Sequence, residues 1–160
     1  MPKNIGLVMF LLAAWCFISY VTVEAAGLTT TFSEVKLENL QAGKTYSAKE
    51  SAGLALVVVN TGEEAVDLKM ELLLPQPSEL KEGFAPIPDL SWIKLEKTEF
   101  KGIPPNKSAV SDVIISIPDD KQHQGKKYQV FIWSHTLGRR VGVGLKSKLL
   151  FTIITPEEDN

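Results

Sequence analysis

Cysteine and histidine are scarce in this chain. Its one cysteine, Cys16, lies inside an apolar N-terminal run, and its two histidines are His123 and His135. Structural zinc sites use four cysteine or histidine ligands at characteristic spacings, and the chain has no such set. Once the N-terminal run is removed, no disulfide is possible, so the packed core alone must stabilise the fold.

A strong excess of charge is also absent. The formal net charge is -2 over 160 residues, and the lysines and arginines are dispersed along the chain. Nucleic-acid-binding proteins concentrate basic residues in patches, so we expect no nucleic-acid partner. Hydrophobic residues make up 44% of the chain. That proportion and this length are typical of one packed domain.

The N-terminus has the three-part pattern of a secretory signal peptide. Lys3 precedes the apolar run Ile5–Tyr20, and Val23 and Ala25 occupy the -3 and -1 positions for cleavage after Ala25. The alternative is an uncleaved anchor helix, but the run is barely long enough to span a bilayer. We therefore predict a secreted or periplasmic protein that contacts the membrane only if the segment is retained.

With residues 1–25 assigned to the signal peptide, we predict a single domain over residues 26–160. The apolar run Leu54–Val59 predicts a central strand buried on both faces. From 66 to 72, apolar and charged residues alternate, which predicts a half-exposed strand. The turn sequence Asn60–Glu64 between them predicts a hairpin. The stretch Tyr46–Ser51 is ambiguous and reads best as an edge segment.

The C-terminal third carries the longest apolar stripe. The odd positions from Val141 to Ile153 share one face, interrupted only by Ser147. Thirteen residues would span roughly 43 Å at about 3.3 Å per residue, which is long for one strand. We therefore predict a bend or a division near Lys146–Lys148. Gly142 and Gly144, on the opposite face, mark a bulge or a close approach by another backbone.

Turn and corner signals complete the prediction of the fold. Gly125 followed by Tyr128 fits the tyrosine corner of β-sandwiches, in which the Tyr hydroxyl bonds to a nearby backbone group. About seven strands, closely spaced turns and no convincing helix predict an all-β, immunoglobulin-like antiparallel β-sandwich.

Four segments carry a resemblance to a known family: Pro86–Trp92 (PIPDLSW), Pro105–Ser108 (PNKS), Val113–Pro118 (VIISIP) and Gly125–Tyr128 (GKKY). In this order they resemble exported bacterial immunoglobulin-like domains. The resemblance is strongest to the cell-wall-associated domain of WxL-interacting proteins and more distant to the sandwiches of pilus chaperones. It implies an exported sandwich that engages envelope polymers or surface proteins. These segments encode turns and core, so no functional residue is carried over.

No group of residues has a catalytic pattern. A GxSxG motif is absent, and the glycines between 138 and 144 lie between strands rather than before a helix. Asp119–Asp120 and the acidic residues 157–159 lack the ligand spacing of calcium loops. His123 reads as part of a solvated loop. We predict no enzyme activity, no cofactor and no metal.

Aromatic side chains on one predicted strand are the strongest candidate for a binding surface. Phe131, Trp133 and His135 face away from the core side of that strand. Either they form an exposed face that binds a protein or a glycan, or they are buried by the proline-rich crossover Pro75–Leu90 or by the edge of the other sheet. The crossover itself is either a functional loop or a rigid connection that packs Phe84 and Ile87 on the end of the sandwich.

The edge near Gly142 and Gly144 is a second candidate, because an exposed edge accepts a partner strand. Together with Phe131, Trp133 and His135, these glycines are the predicted partner-binding residues. We predict a non-catalytic exported interaction or structural module that binds a protein partner. The alternative is a carbohydrate- or peptidoglycan-binding module that uses the aromatic face.

Overall fold

The computed structural model describes residues 27–155, so the predicted signal peptide and the acidic residues 157–159 lie outside the described part. Residues 27–155 form twelve strand segments and one short α-helix. The segments are β1 (Leu28–Thr30), β2 (Glu34–Leu40), β3 (Thr45–Ser47), β4 (Leu56–Asn60), β5 (Val66–Leu73), β6 (Ala85–Pro86), β7 (Ile93–Leu95), β8 (Glu99–Ile103), β9 (Ser108–Ser111), β10 (Val113–Ser116), β11 (Lys127–Leu137) and β12 (Gly144–Ile153).

The strands form two layers. One layer is a sheet in the order β2-β12-β11-β5-β8, with the short β6 beside β11. The other layer contains the sheets β1-β4-β9 and β3-β10-β7, which are continuous because only Asp112 separates β9 from β10. The pairs β1/β2 and β7/β8 each change layer, so each pair contributes one segment to either sheet of the sandwich. This confirms the predicted immunoglobulin-like β-sandwich, although β2 pairs with β12 in parallel.

The core lies between the two layers. Inward-facing side chains alternate with outward-facing ones, as the period-2 pattern predicts. Buried residues at the centre come from both layers: Leu68, Val130, Ile132, Leu149 and Phe151 from one, and Leu56, Val58, Val113 and Ile115 from the other. Burying each of these side chains contributes about 1.5–3 kcal/mol, so this core is the main source of stability of the described domain.

The predicted hairpin between β4 and β5 is wrong. β4 pairs with β1 and β9, whereas β5 lies in the other layer and pairs with β11 and β8. Asn60 explains the crossing: its buried Nδ2 donates to the carbonyl oxygens of Glu64 (2.7 Å) and Ile103 (2.9 Å), and its Oδ1 accepts from the Gly62 N–H (3.0 Å). These bonds replace hairpin pairing and direct the chain across the sandwich.

Two further strand predictions need correction. β4 is not buried on both faces, because Val57 and Val59 are half-buried and Leu54, before the strand, is 43% exposed. β12 begins at Gly144 rather than at Val141, which is 70% exposed. Pairing with β11 continues unbroken past Lys146, so the strand does not divide where we predicted.

The ambiguous segment after Tyr46 contains a helix rather than only an edge strand. The helix α1 (Ala48–Ala52) begins after Ser47, whose side chain accepts from the Glu50 N–H, and it ends at Gly53, which has φ of 67°. A glycine adopts this left-handed conformation without steric cost. No helix within residues 27–155 is long and apolar enough to cross a bilayer.

The Tyr128 corner differs from the prediction in its partner. The Tyr128 hydroxyl pairs with Nδ1 of His123 at 2.8 Å rather than with a backbone group. His123 also packs edge-on against Trp92, with ring centroids 4.6 Å apart. The loop is exposed as predicted, but the His123 side chain is half-buried against Trp92 and Tyr128 rather than free in solvent. The prediction missed this because the contact with Trp92 joins distant parts of the chain.

A local cap turns His123 inward. The turn Lys121–His123 begins at Asp120, whose carboxylate accepts from the Gln122 N–H at 2.9 Å. The Asp120 carboxylate therefore caps the turn. Within residues 27–155, no group of three or more histidine, cysteine, aspartate or glutamate side chains is placed to hold a metal ion.

Candidate functional site

A row of four side chains runs along the face of β11 that points away from the core. This outer row consists of Gln129, Phe131, Trp133 and His135, which alternate with the inward-facing Tyr128, Val130, Ile132 and Ser134. Because β11 lies between β12 and β5, the outer row follows the middle of its sheet. A ligand on this face would meet the centre of the sheet rather than its margin.

The first half of the outer row is covered. Gln129 is 0% exposed and Phe131 is 6% exposed, and Leu150, opposite Gln129 on β12, is 0% exposed. None of the three belongs to the cluster of core residues. Their burial must come from a segment on the outside of the sheet, and that segment is the crossover after β5.

The covering segment, residues 76–87, is called the strap. The Gln129 side chain donates to the Glu79 carbonyl oxygen (2.9 Å) and accepts from the Lys81 N–H (2.8 Å). The Ile87 N–H donates to the Gln129 carbonyl oxygen (3.1 Å). These bonds place the crossover over the outer row at Gln129, the neighbour of Phe131 on that face. The crossover also buries Ile87 in the core, as we predicted for a rigid connection.

Lys146 marks the end of the covered half. Its Nζ lies 2.8 Å from Oε1 of Glu79 on the strap and 5.2 Å from the centroid of the Phe131 ring. The other Glu79 oxygen accepts from the Gln76 N–H at 2.9 Å. The Lys146 ammonium, and to a smaller extent this N–H, hold the pKa of Glu79 below its ordinary value. The carboxylate that fixes this end of the strap is therefore charged.

The second half of the outer row is partly open. Trp133 and His135 are half-buried, and their rings stack with centroids 4.0 Å apart and planes at 20°. Stacking covers one face of each ring. The pair therefore presents less flat aromatic surface to a ligand than two free rings would.

Gly144 makes room for the Trp133 indole. A Cβ at position 144 would lie 2.6 Å from Nε1 of Trp133 and 3.3 Å from Cβ of His135. The predicted close approach at this glycine is therefore made by a side chain rather than by another backbone. Gly142 differs, because a Cβ there would meet its nearest atom, Oγ1 of Thr136, at 3.9 Å.

Ionisable groups border the open half and are paired with one another. His135 Nε2 lies 2.9 Å from Oε2 of Glu71, and Lys69 Nζ lies 2.7 Å from Oε1. Lys69 first, and His135 second, lower the pKa of Glu71. A ligand on the stacked rings would thus meet a polar border with little net charge.

The edge of β12 beside the open half has no neighbouring strand among the described residues. β2 begins to pair with β12 at Lys148, whose N–H donates to the Ser33 carbonyl oxygen at 2.8 Å. Val143 bonds to Thr136 of β11. Since backbone polar groups alternate in direction along a strand, those of Gly144 and Lys146 point away from β11. This short edge and the stacked rings form one continuous surface, which we call the open face.

No known protein family and no curated protein matches the chain. Solved structures do match it. The chain is similar to the ASH/PapD-like domain 7 of human CEP192, with a TM-score of 0.57, 12% identity, and coverage of 81% of this chain and 87% of that one. A putative carbohydrate binding protein from Bacteroides ovatus matches with a TM-score of 0.56 and 14% identity over 80% of this chain.

The E. coli chaperone DraB matches with a TM-score of 0.50 and 11% identity over 80% of this chain. The chain spans 55% of DraB and 37% of the Bacteroides protein. At such identities the similarity concerns the fold alone: the chain has an immunoglobulin-like β-sandwich fold, similar to that of these PapD-like and chaperone domains. This agrees with the more distant of the two resemblances in its sequence.

Proposed function

We propose that the chain is a non-catalytic, exported interaction module of the bacterial envelope or extracellular space that binds a protein partner. The N-terminal sequence supports export, and the resemblance to WxL-interacting and pilus-chaperone sandwiches supports a role at the cell surface. The observation that carries the proposal is the open face. There, two half-buried aromatic rings lie beside backbone groups of β12 that pair with no other strand within residues 27–155.

Strand addition is the mode of binding that suits this surface. An extended segment of the partner would bond to the outward-pointing backbone groups of Gly144 and Lys146. Gly144 has no side chain, so the partner segment can approach closely. The side chains of the partner segment would then reach the Trp133 indole. The backbone bonds would supply affinity, and the rings would supply selectivity.

A pull-down from envelope extract tests the proposal. Trp133→Ala should reduce recovery of the partner by about tenfold or more, as expected for a tryptophan at the centre of an interface. Val110→Ala is the matched control, because Val110 is an apolar side chain, 51% exposed, on β9 in the other layer. Equal recovery with both variants would count against the open face as the binding site.

Lys146 offers a sharper test of strand addition. Lys146→Pro removes an outward-pointing N–H and should abolish partner binding, because proline cannot donate to a ladder. Lys146→Ala is the control, since it removes the same side chain and its bond to Glu79 but keeps the N–H. If Lys146→Ala binds the partner measurably and Lys146→Pro binds it as strongly as Lys146→Ala does, the edge is not used.

A carbohydrate or peptidoglycan ligand is the second candidate. The Trp133 ring favours it, and one structural neighbour is described as a putative carbohydrate binding protein. The mutual stacking of Trp133 and His135 weighs against it, because sugars bind best to free ring faces. Sedimentation with purified cell wall that is lost in Trp133→Ala but retained in Lys146→Pro would favour the glycan over the protein.

A further inference from the structure

The covered half of the outer row resembles a binding groove that is already filled. Gln129, Phe131 and Leu150 lie on the outer face of a sheet, yet they are as buried as core residues. The open half continues the same row without a break, since Phe131 and Trp133 are neighbours on that face. One segment of this chain, the strap, already occupies half of a longer surface.

The first part of the strap, residues 76–84, covers this groove without being embedded in it, whereas Ile87 at its end is anchored in the core. No residue between 76 and 84 is buried, and only Glu79, Leu80 and Phe84 are partly so. The polar contacts of residues 76–84 with the sheet are the bonds to Gln129 and the ion pairs Lys146–Glu79 and Lys81–Glu34, and the strap then pairs with β11 through Ala85 and Pro86. Segments with few buried apolar contacts open locally at much lower free energy than the strands beneath them.

The groups that bind the strap show which kind of ligand the groove recognises. The Gln129 amide donates to one backbone carbonyl and accepts from a backbone N–H two residues later, which recognises a short stretch of main chain rather than a side chain. The Lys146 ammonium binds the carboxylate of Glu79, the residue that supplies the carbonyl. A peptide with an acidic residue at this position would satisfy both groups.

We infer that the covered half of the outer row is a peptide-binding groove that the strap fills in cis, and that an acidic segment of the protein partner displaces the strap. The inference rests on the proposed function, because it names the segment that the partner would contribute. Lys146 lies opposite Trp133 in the β11–β12 register. A displacing segment could therefore run from Gln129 to the open face and engage both halves.

Hydrogen exchange on the full chain tests whether the strap opens by itself. The Lys81 amide, bonded to Gln129, should exchange at least about a hundredfold faster than the amides of Val130 and Ile132, after correction for intrinsic rates. Glu79→Gln should accelerate the Lys81 amide by about two- to fivefold, the range expected for an exposed ion pair. Glu38→Gln, which breaks the Lys36–Glu38 pair, is the control and should leave it unchanged.

A peptide added in trans tests the groove. The probe is a labelled synthetic peptide of residues 76–84 (QPSELKEGF), titrated into the wild-type protein and into Glu79→Gln/Lys81→Ala, which weakens the strap but keeps Gln129, Phe131 and Lys146. Binding to the variant should be about tenfold tighter, because a larger fraction of its grooves is open. A probe with glutamine in place of its Glu79 should bind more weakly.

Either of two results would overturn the inference. One is a Lys81 amide that exchanges only as slowly as those of β11, because the strap then opens only when the whole domain unfolds. The other is a peptide that binds the two proteins equally or binds neither. Both experiments work without the partner, so they separate the two proposals: loss of the Trp133→Ala effect in the pull-down refutes the proposed function and leaves the groove standing.

Discussion

Gly144→Ala is the substitution that most directly tests the geometry of the open face. The new Cβ would lie 2.6 Å from Nε1 of Trp133, whereas ordinary contacts begin at 3.4 Å, so the indole must move by about 0.8 Å (3.4 minus 2.6). It cannot do so without changing its stack on His135, whose Cβ would itself lie 3.3 Å from the new methyl group. The substitution should therefore disrupt the stacked pair.

The effect on stability should be small even though the local effect is large. Losing the stack costs about 0.5–1.5 kcal/mol. Replacing glycine by alanine in a strand raises the free energy of unfolding by about 0.5–1 kcal/mol, because the unfolded chain loses flexibility. The two contributions largely offset one another, and the free energy of unfolding should change by less than about 1 kcal/mol.

NMR measures the local change independently of stability. Gly144→Ala should shift the Trp133 indole N–H resonance and weaken the NOEs between Trp133 and His135, while leaving the Trp92 indole unchanged. Gly142→Ala is the matched control, since its Cβ would have 3.9 Å to the nearest atom. The Trp133 indole N–H could instead have the same chemical shift in Gly144→Ala as in Gly142→Ala. In that case the indole does not lie over Gly144, and the described open face is incorrect.

Three further predictions concern the fold and the strap. Tyr128→Phe should lower the free energy of unfolding in urea by about 1 kcal/mol and shift the His123 ring resonances, because it removes their hydrogen bond; no shift would contradict that pairing. Asn60→Ala should cost about 2–4 kcal/mol, because it leaves buried backbone groups without partners; a loss below about 0.5 kcal/mol would contradict the role of Asn60. The depressed pKa of Glu79 means that its pairing with Lys146 adds stability above the unfolded-state value of 4.5 and loses it as pH falls through the lower folded value. Acid should therefore accelerate exchange in the strap relative to β11 in the wild type but not in Glu79→Gln.

The positions of the strands were predictable because strand formation depends on residues that are close together in the sequence. Alternation from 66 to 72 and from 128 to 135 reflects the period of an extended chain with one face in the core, and both stretches form the expected strands. The turn at Gly125 was recognisable because its φ of 72° suits glycine. These features depend on neighbours within a few residues.

Pairing between segments was not predictable in the same way. The turn residues after Asn60 are compatible with either a hairpin or a crossing between layers. The crossing is selected by bonds from Asn60, including one to Ile103, which is 43 residues away. His123 was misplaced for a similar reason, since its neighbour Trp92 is distant in sequence. Neither contact, Asn60 with Ile103 or His123 with Trp92, can be inferred from the residues near it in the sequence.

The strand periodicity, the sandwich class and the outward-facing residues of β11 all follow from the amino-acid pattern alone. How much of that outward face is covered depends on long-range packing. Phe131 and Trp133 share the same side of the same strand, yet the strap buries the first and leaves the second partly open. The reason is physical: alternation depends on the local backbone, whereas the covering of a face depends on a bond between Gln129 and a segment about 50 residues away, from Glu79 to Lys81.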